Sequence, residues 1–189
     1  MAFDDADKQK ILYQLALCLQ RLHTQGIVHA DLKPEHVLLL QKQAGWKVKL
    51  IDLDSGFLAE EPPETAKELE GDPAYLAPEA FLRIAGETTQ LGSAMDVFAF
   101  GAMIHQLWTG ELPGFDRSRY HYLCESALTG QAFDLKLPEK WKPLVQRMLS
   151  GNASERPNAG EIAAAFAERK EQPDASPRNL NGLTQLMKR

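Results

Sequence analysis

The 189-residue chain is 44% apolar and 25% charged, the composition of an ordinary globular protein, and its size points to one domain with an appendage. Its net charge of −5 argues against a nucleic-acid or anionic-membrane partner, and no apolar run approaches the ~20 residues that span a bilayer. Two cysteines, Cys18 and Cys124, are too few for a disulfide framework and fit no metal spacing. With an acidic N-terminus that lacks a secretory leader, this leads us to expect a reducing, cytoplasmic setting.

Residues 4–23 read as a helix, because Ile11, Leu15, Cys18, Leu19 and Leu22 recur at three- and four-residue steps. Gly26 is the expected stop. Short strands follow at Ile27-Val28, Val37–Leu40 and Trp46–Leu50, with a hairpin at Ala44-Gly45. Residues 55–92 read as a long loop, since Pro62, Pro63, Pro73 and Pro78 forbid a long helix. A capping box of Ser93 with Asp96 is expected to open a helix that is apolar nearly all round, from Val97 to Trp108. Gly110 ends it. Further helices are expected at 117–129, 140–150 and 158–170, the last capped by Asn158 and Glu161. Residues 171–179 read as a linker, and Leu180, Leu183, Leu186 and Met187 as a short docking helix. The expected fold class is α+β, mainly α-helical, with a β-hairpin region at one end and a buried central helix.

The richest stretch is His29-Ala30-Asp31-Leu32-Lys33-Pro34-Glu35-His36, followed by Asp52-Leu53-Asp54 where a strand ends. A hairpin between them brings Asp31 and Asp52 near each other. Two carboxylates and a lysine suit phosphoryl transfer: one acid takes or orients the hydroxyl proton, one holds a cation, and the lysine offsets charge on the moving group.

These residues resemble the protein kinase family, in its C-terminal lobe. His29–His36 is similar to the catalytic loop and Asp52–Asp54 to the magnesium-binding triplet. Gly71–Glu79 resembles the end of the activation segment, Asp96–Gly101 the start of the central helix, and Glu155-Arg156-Pro157 the motif whose arginine pairs with the glutamate of Ala77-Pro78-Glu79. The resemblance runs over roughly residues 4–170, taken as a lobe within 1–170, with 171–189 as linker and tail. It implies Asp31 as catalytic base, Lys33 as the neutralising cation and Asp52 as a magnesium ligand. It implies Asp96 as a support for the catalytic loop, Glu79 with Arg156 as a buried ion pair, and His29 as a buried structural histidine. ATP and Mg2+ are the implied cofactors.

The departures carry equal weight. Ala30 stands where an arginine usually receives an activation-loop phosphate. His36 replaces the asparagine that binds a second magnesium, and is a weak metal and cofactor candidate because Mg2+ prefers oxygen. Asp54 replaces a glycine and is another weak metal candidate. Asp72 replaces a threonine, and is expected to capture Lys33 and repel Asp31. The residues ahead of His29 show no G-x-G-x-x-G and no strand lysine, so the N-terminal lobe is absent from them and weak ATP binding is expected. The surface that faces that lobe is expected to find a protein partner or a second copy.

Three functions compete. The first is transfer of the ATP γ-phosphate to a protein Ser/Thr hydroxyl once an N-lobe is supplied. The alternative is a catalytically dead pseudokinase lobe that binds proteins. A small-molecule kinase of the aminoglycoside type ranks below both, since that family lacks the Ala77-Pro78-Glu79 and Glu155-Arg156-Pro157 motifs.

Overall fold

A computed structural model describes residues 3–43, 45–69 and 71–167. The expected linker at 171–179, the Leu180–Met187 helix, the last turn of the 158–170 helix and Ala44 of the hairpin turn lie outside them.

Helix α1 spans Asp5–Thr24. The Asp4 side chain accepts from the Asp7 amide at its start, and Gly26 at φ 71° turns the chain at its end. Its buried stripe is Ile11, Leu12, Leu15, Ala16 and Leu19, slightly rotated from the expected one, so that Cys18 and Leu22 are only half-buried. Strand β1 (Ile27–Val28) leads into the His29–His36 stretch. Strands β2 (Val37–Lys42) and β3 (Gly45–Leu50) pair antiparallel, with Val37 opposite Leu50 and Leu39 opposite Val48. Period-two alternation turns Val48 into the core and Lys47 and Lys49 to solvent. Gln14 clamps α1 to this hairpin: its amide donates to the Trp46 carbonyl (2.7 Å) and accepts from the Val48 amide (3.2 Å).

The 55–92 stretch holds more structure than its prolines suggest. Strand β4 (Phe57–Leu58) pairs antiparallel with β1. Gly56 permits the approach, since a Cβ there would lie 2.9 Å from the Leu53 carbonyl oxygen and 3.1 Å from that of Val28. Helix α2 (Pro78–Ile84) begins at a proline, which is welcome in the first turn because its missing N–H has no helical partner there.

Helix α3 (Ala94–Thr109) is the axis of the molecule, buried from Met95 through His105 and ended by Gly110 at φ 80°. The expected Ser93 cap is not made. The Asp96 carboxylate turns away from its own helix, toward the loop after β1. The 117–129 helix shrinks to α4 (Leu123–Leu128), because Asp116 accepts from the Ser118 amide and hydroxyl and holds a turn there. Helices α5 (Lys142–Met148) and α6 (Ala159–Phe166) follow, the latter with the expected Asn158–Glu161 capping box. α6 packs along α1, and α5 packs on α3 at Gly101, whose hydrogen faces Met148 and Leu149. Among the described residues helices dominate, with two small two-stranded sheets, an α+β arrangement. Among the described residues no helix is long and apolar enough to cross a membrane.

Candidate active site

Among the described residues, two other than glycine have positive φ, Ala30 at 66° and Asp52 at 63°. Each costs roughly 1–2 kcal/mol in a left-handed conformation, and both lie where the chemistry is expected. Backbone strain gathered at one place is a mark of a site that the surrounding fold over-determines.

Asp96 supplies much of that restraint. Its carboxylate accepts from the His29 amide and the Ala30 amide, each at 2.9 Å, and from His23 Nε2 at 2.9 Å. The strained Ala30 backbone is therefore bonded directly to the central helix. His23, in the last turn of α1, is a participant that motif reading passes over; its place opposite Asp96 is a tertiary fact. His29 is fully buried and its Nε2 lies 3.2 Å from the Ile51 carbonyl oxygen, while its Nδ1 is buried without a partner.

From this anchored loop Asp31 emerges, its side chain 14% exposed. Lys33 Nζ lies 2.7 Å from its Oδ2, and the Asp72 amide donates to its Oδ1 at 3.0 Å. The expected antagonism of Asp72 is thus not what the geometry shows. The Asp72 side chain accepts from its own neighbour, the Ala74 amide (2.9 Å), so Lys33 stays with Asp31 and the backbone N–H at Asp72 supports Asp31. The short range of an Asx-type turn explains the difference. The Asp31 carboxylate pushes the Lys33 ammonium pKa up, against burial, and the charges of Asp72 and Glu35 act in the same upward direction.

His36 closes the short 3-10 turn Pro34–His36 and stands between the two acids. Its Nδ1 lies 2.8 Å from the Asp31 carbonyl oxygen and its Nε2 lies 3.2 Å from Asp52 Oδ2. The Ile51 amide donates to the His36 carbonyl (3.0 Å), continuing the β2–β3 register down to Asp52. Asp31 and Asp52 therefore meet on one imidazole. Asp54 does not join them: it is exposed and lines an open acidic cavity of about 840 Å³ with Ser55, Glu60 and Glu61.

As a magnesium site the pair falls short. It offers one carboxylate oxygen and one ring nitrogen, where Mg2+ asks for oxygen ligands. Among the described residues no three His, Cys, Asp or Glu side chains are grouped to hold a metal.

Glu79 and Arg156 form a two-pronged buried ion pair, Nη1 to Oε1 at 2.8 Å and Nη2 to Oε2 at 2.9 Å. Arg156 also donates to the carbonyls of Ala94 and Ser150 and lies over the Phe98 ring, tying the segment after Gly71 to α3. At the upper rim, Leu38, Ile51 and Leu53 are exposed by 42%, 42% and 44%.

Comparison with known proteins agrees with this geometry. The protein kinase domain model matches residues 1–166. The chain is 31% identical over 166 residues to calcium/calmodulin-dependent protein kinase type II subunit delta of Oryctolagus cuniculus, covering 84% of this chain and 30% of that protein. It is 29% identical, with the same coverage, to the type II alpha chain of Drosophila melanogaster. The chain thus spans about a third of the length of the curated relatives it matches. An anchored acid–lysine loop, a central helix that holds it and a family match along most of the sequence lead to one conclusion: the chain belongs to the protein kinase family.

Proposed function

We propose that this chain is the C-terminal catalytic half of a serine/threonine protein kinase, which transfers the γ-phosphate of ATP to a protein hydroxyl when an N-terminal lobe is supplied in cis or in trans. The single observation that carries this reading is the assembled state of Asp31. Its loop is bonded to Asp96, and its two oxygens are held by Lys33 Nζ and the Asp72 amide. A carboxylate so held accepts the proton of an incoming hydroxyl on a free lone pair, while the Lys33 ammonium balances charge on the transferred group. ATP and a divalent ion are the cofactors this reading calls for, with weak nucleotide binding by these residues alone, and a cytoplasmic setting accords with two unpaired cysteines.

The test is fusion of a glycine-rich, lysine-bearing N-lobe to the chain, with phosphate transfer to a Ser/Thr peptide library as the readout. Transfer above that of the Asp31→Asn form supports the reading, and equal signals sink it.

A second reading, a lobe that acts by binding another protein, is favoured by the exposed Leu38, Ile51 and Leu53 and by His36, which stands where the family resemblance implies a metal-binding asparagine. The partner would be a protein or a second copy seated on that rim. Sedimentation of the chain, with Leu53→Asp as control, distinguishes it: a monomer at all concentrations, unchanged by the substitution, argues against self-association.

A further inference from the structure

We propose that the face built on α2 is a self-association surface. A second copy of this chain docks on it about a two-fold axis, so that the acidic loop of each copy meets the basic, aromatic loop of the other. The inference stands on how charge is sorted over this face and does not rest on the kinase reading.

The acidic side is the loop from Asp54 to Glu68. Asp54, Glu60, Glu61, Glu64 and Glu68 are all exposed there, against one exposed cation, Lys67. Among the described residues none of these five acids forms an ion pair within salt-bridge distance. Arg83 lines the same open cavity, yet its guanidinium donates to the carbonyls of Pro63 and Thr89 and is committed to backbone. Crowded like charges without partners repel one another and are relieved by an arriving cation.

The basic side is the stretch Phe115–Tyr122. Arg117 lies over the Phe115 ring at 5.1 Å, and Arg119 over the Tyr120 ring at 5.7 Å, with exposed His121 beside them. Stacking uses the flat face of a guanidinium and leaves its in-plane N–H donors facing outward. Both arginines are exposed, and among the described residues neither has an ion-pair partner within salt-bridge distance. The acid between them, Asp116, spends its carboxylate on the Ser118 amide and hydroxyl. Glu125 likewise turns to the backbone amides of His121 and Tyr122.

Helix α2 stands between the two sides. Phe81 and Arg83 are two positions apart, which places them about 200° apart around the helix. Phe81 meets the Tyr122 ring at 6.4 Å, whereas Arg83 turns to Pro63 and the acidic cavity. Large apolar side chains are exposed along the same elements: Leu58 on β4, Ile84 at the end of α2, Tyr122 just before α4 and Leu128 at its end. A surface that is acidic on one side of a ridge and basic on the other is its own complement. A two-fold axis through the ridge lays each loop on its opposite and covers apolar residues between them. Charge then steers the encounter and fixes the register, and the apolar ridge supplies the burial.

The experiment is sedimentation velocity on the untagged full chain, up to about 200 μM. A reversible dimer is expected at about 25 mM salt, weakened at least about tenfold in Kd at about 500 mM, where the screening length is a few ångströms. The paired reversal Arg117→Glu with Arg119→Glu should abolish the dimer, and so should Glu60→Arg with Glu61→Arg. Mixing the two reversed chains should restore a dimer between them, because the reversed loops now match. Leu53→Asp, on the rim beside Asp52, should leave the dimer intact. A monomer at every concentration and low salt would overturn the proposal and leave this face to a different protein. A dimer that ignores salt and both reversals, one that Leu53→Asp alone abolishes, or reversed chains that stay monomeric when mixed would overturn it as well. The wild-type sedimentation and its salt dependence decide even if a variant fails to fold. Phosphate transfer by the N-lobe fusion plays no part in these readings, so the two proposals fail separately.

Discussion

Replacing Asp96 with asparagine keeps the side chain's shape and removes one acceptor and the charge. The carboxylate serves three donors, the His29 amide, the Ala30 amide and His23 Nε2. With the amide oxygen of asparagine retained toward His29 and His23, its NH2 group faces the Ala30 N–H, donor against donor. Losing a hydrogen bond to a charged group costs about 1.5–3 kcal/mol, and stranding a buried donor costs about as much again if nothing relaxes. Ala30 can relax, because its backbone at φ 66° holds roughly 1–2 kcal/mol of strain that is released when it lets go. The net expectation is a loss of about 3 kcal/mol, well within the stability of a domain this size, so the variant still folds. Urea denaturation should show a lower midpoint with unchanged slope, and the melting temperature should fall by roughly 6–12 °C. Hydrogen exchange should show the Ala30 amide losing protection while amides in the middle of α3 keep theirs. A destabilisation under about 0.5 kcal/mol with Ala30 still protected would refute the idea that Asp96 holds the loop in its strained form.

Arg156→Leu leaves the Glu79 carboxylate buried without its partner and should cost about 3–5 kcal/mol in chemical denaturation, whereas changing both residues together to apolar ones should cost much less. Burial of Cys124 pushes its thiol pKa up from 9.0 to about 12. Above pH 9 the unfolded chain releases this proton and the folded chain keeps it. Stability should therefore be full below pH 9 and fall by up to about 1.4 kcal/mol per pH unit until about pH 12. Cys124→Ala should flatten that slope in pH-dependent melts, and the native thiol should resist alkylation. Gly151→Ala would set a Cβ 2.4 Å from the Ala127 carbonyl oxygen, where backbone must shift. A loss of roughly 1–3 kcal/mol is expected, read from thermal unfolding.

Local patterns along the chain determined helix α1 by its three- and four-residue periodicity, helix α3 by its nearly unbroken apolar run, the β2–β3 hairpin that alternates at Val48 and Leu50, and the Asn158–Glu161 cap. They also marked Asp31, Lys33 and Asp52 by residue type at short spacing, whereas the pairing of Glu79 with Arg156 followed from the family resemblance. Tertiary structure decided the rest. By spacing alone Asp96 reads as the third residue of its own helix cap; the family resemblance implies its support of the loop, and the structure supplies the bonds, to backbone up to 67 residues earlier in the chain. Ala30 carries a strained backbone although it is not glycine, since the hydrogen bond from its amide to Asp96 and not residue preference holds it there. Asp72 keeps its side chain for Ala74 and lends Asp31 only its N–H. Short-range periodicity records which face of an element is apolar; the direction in which a polar side chain turns depends on which distant groups packing leaves without water. That competition is settled only when the elements meet.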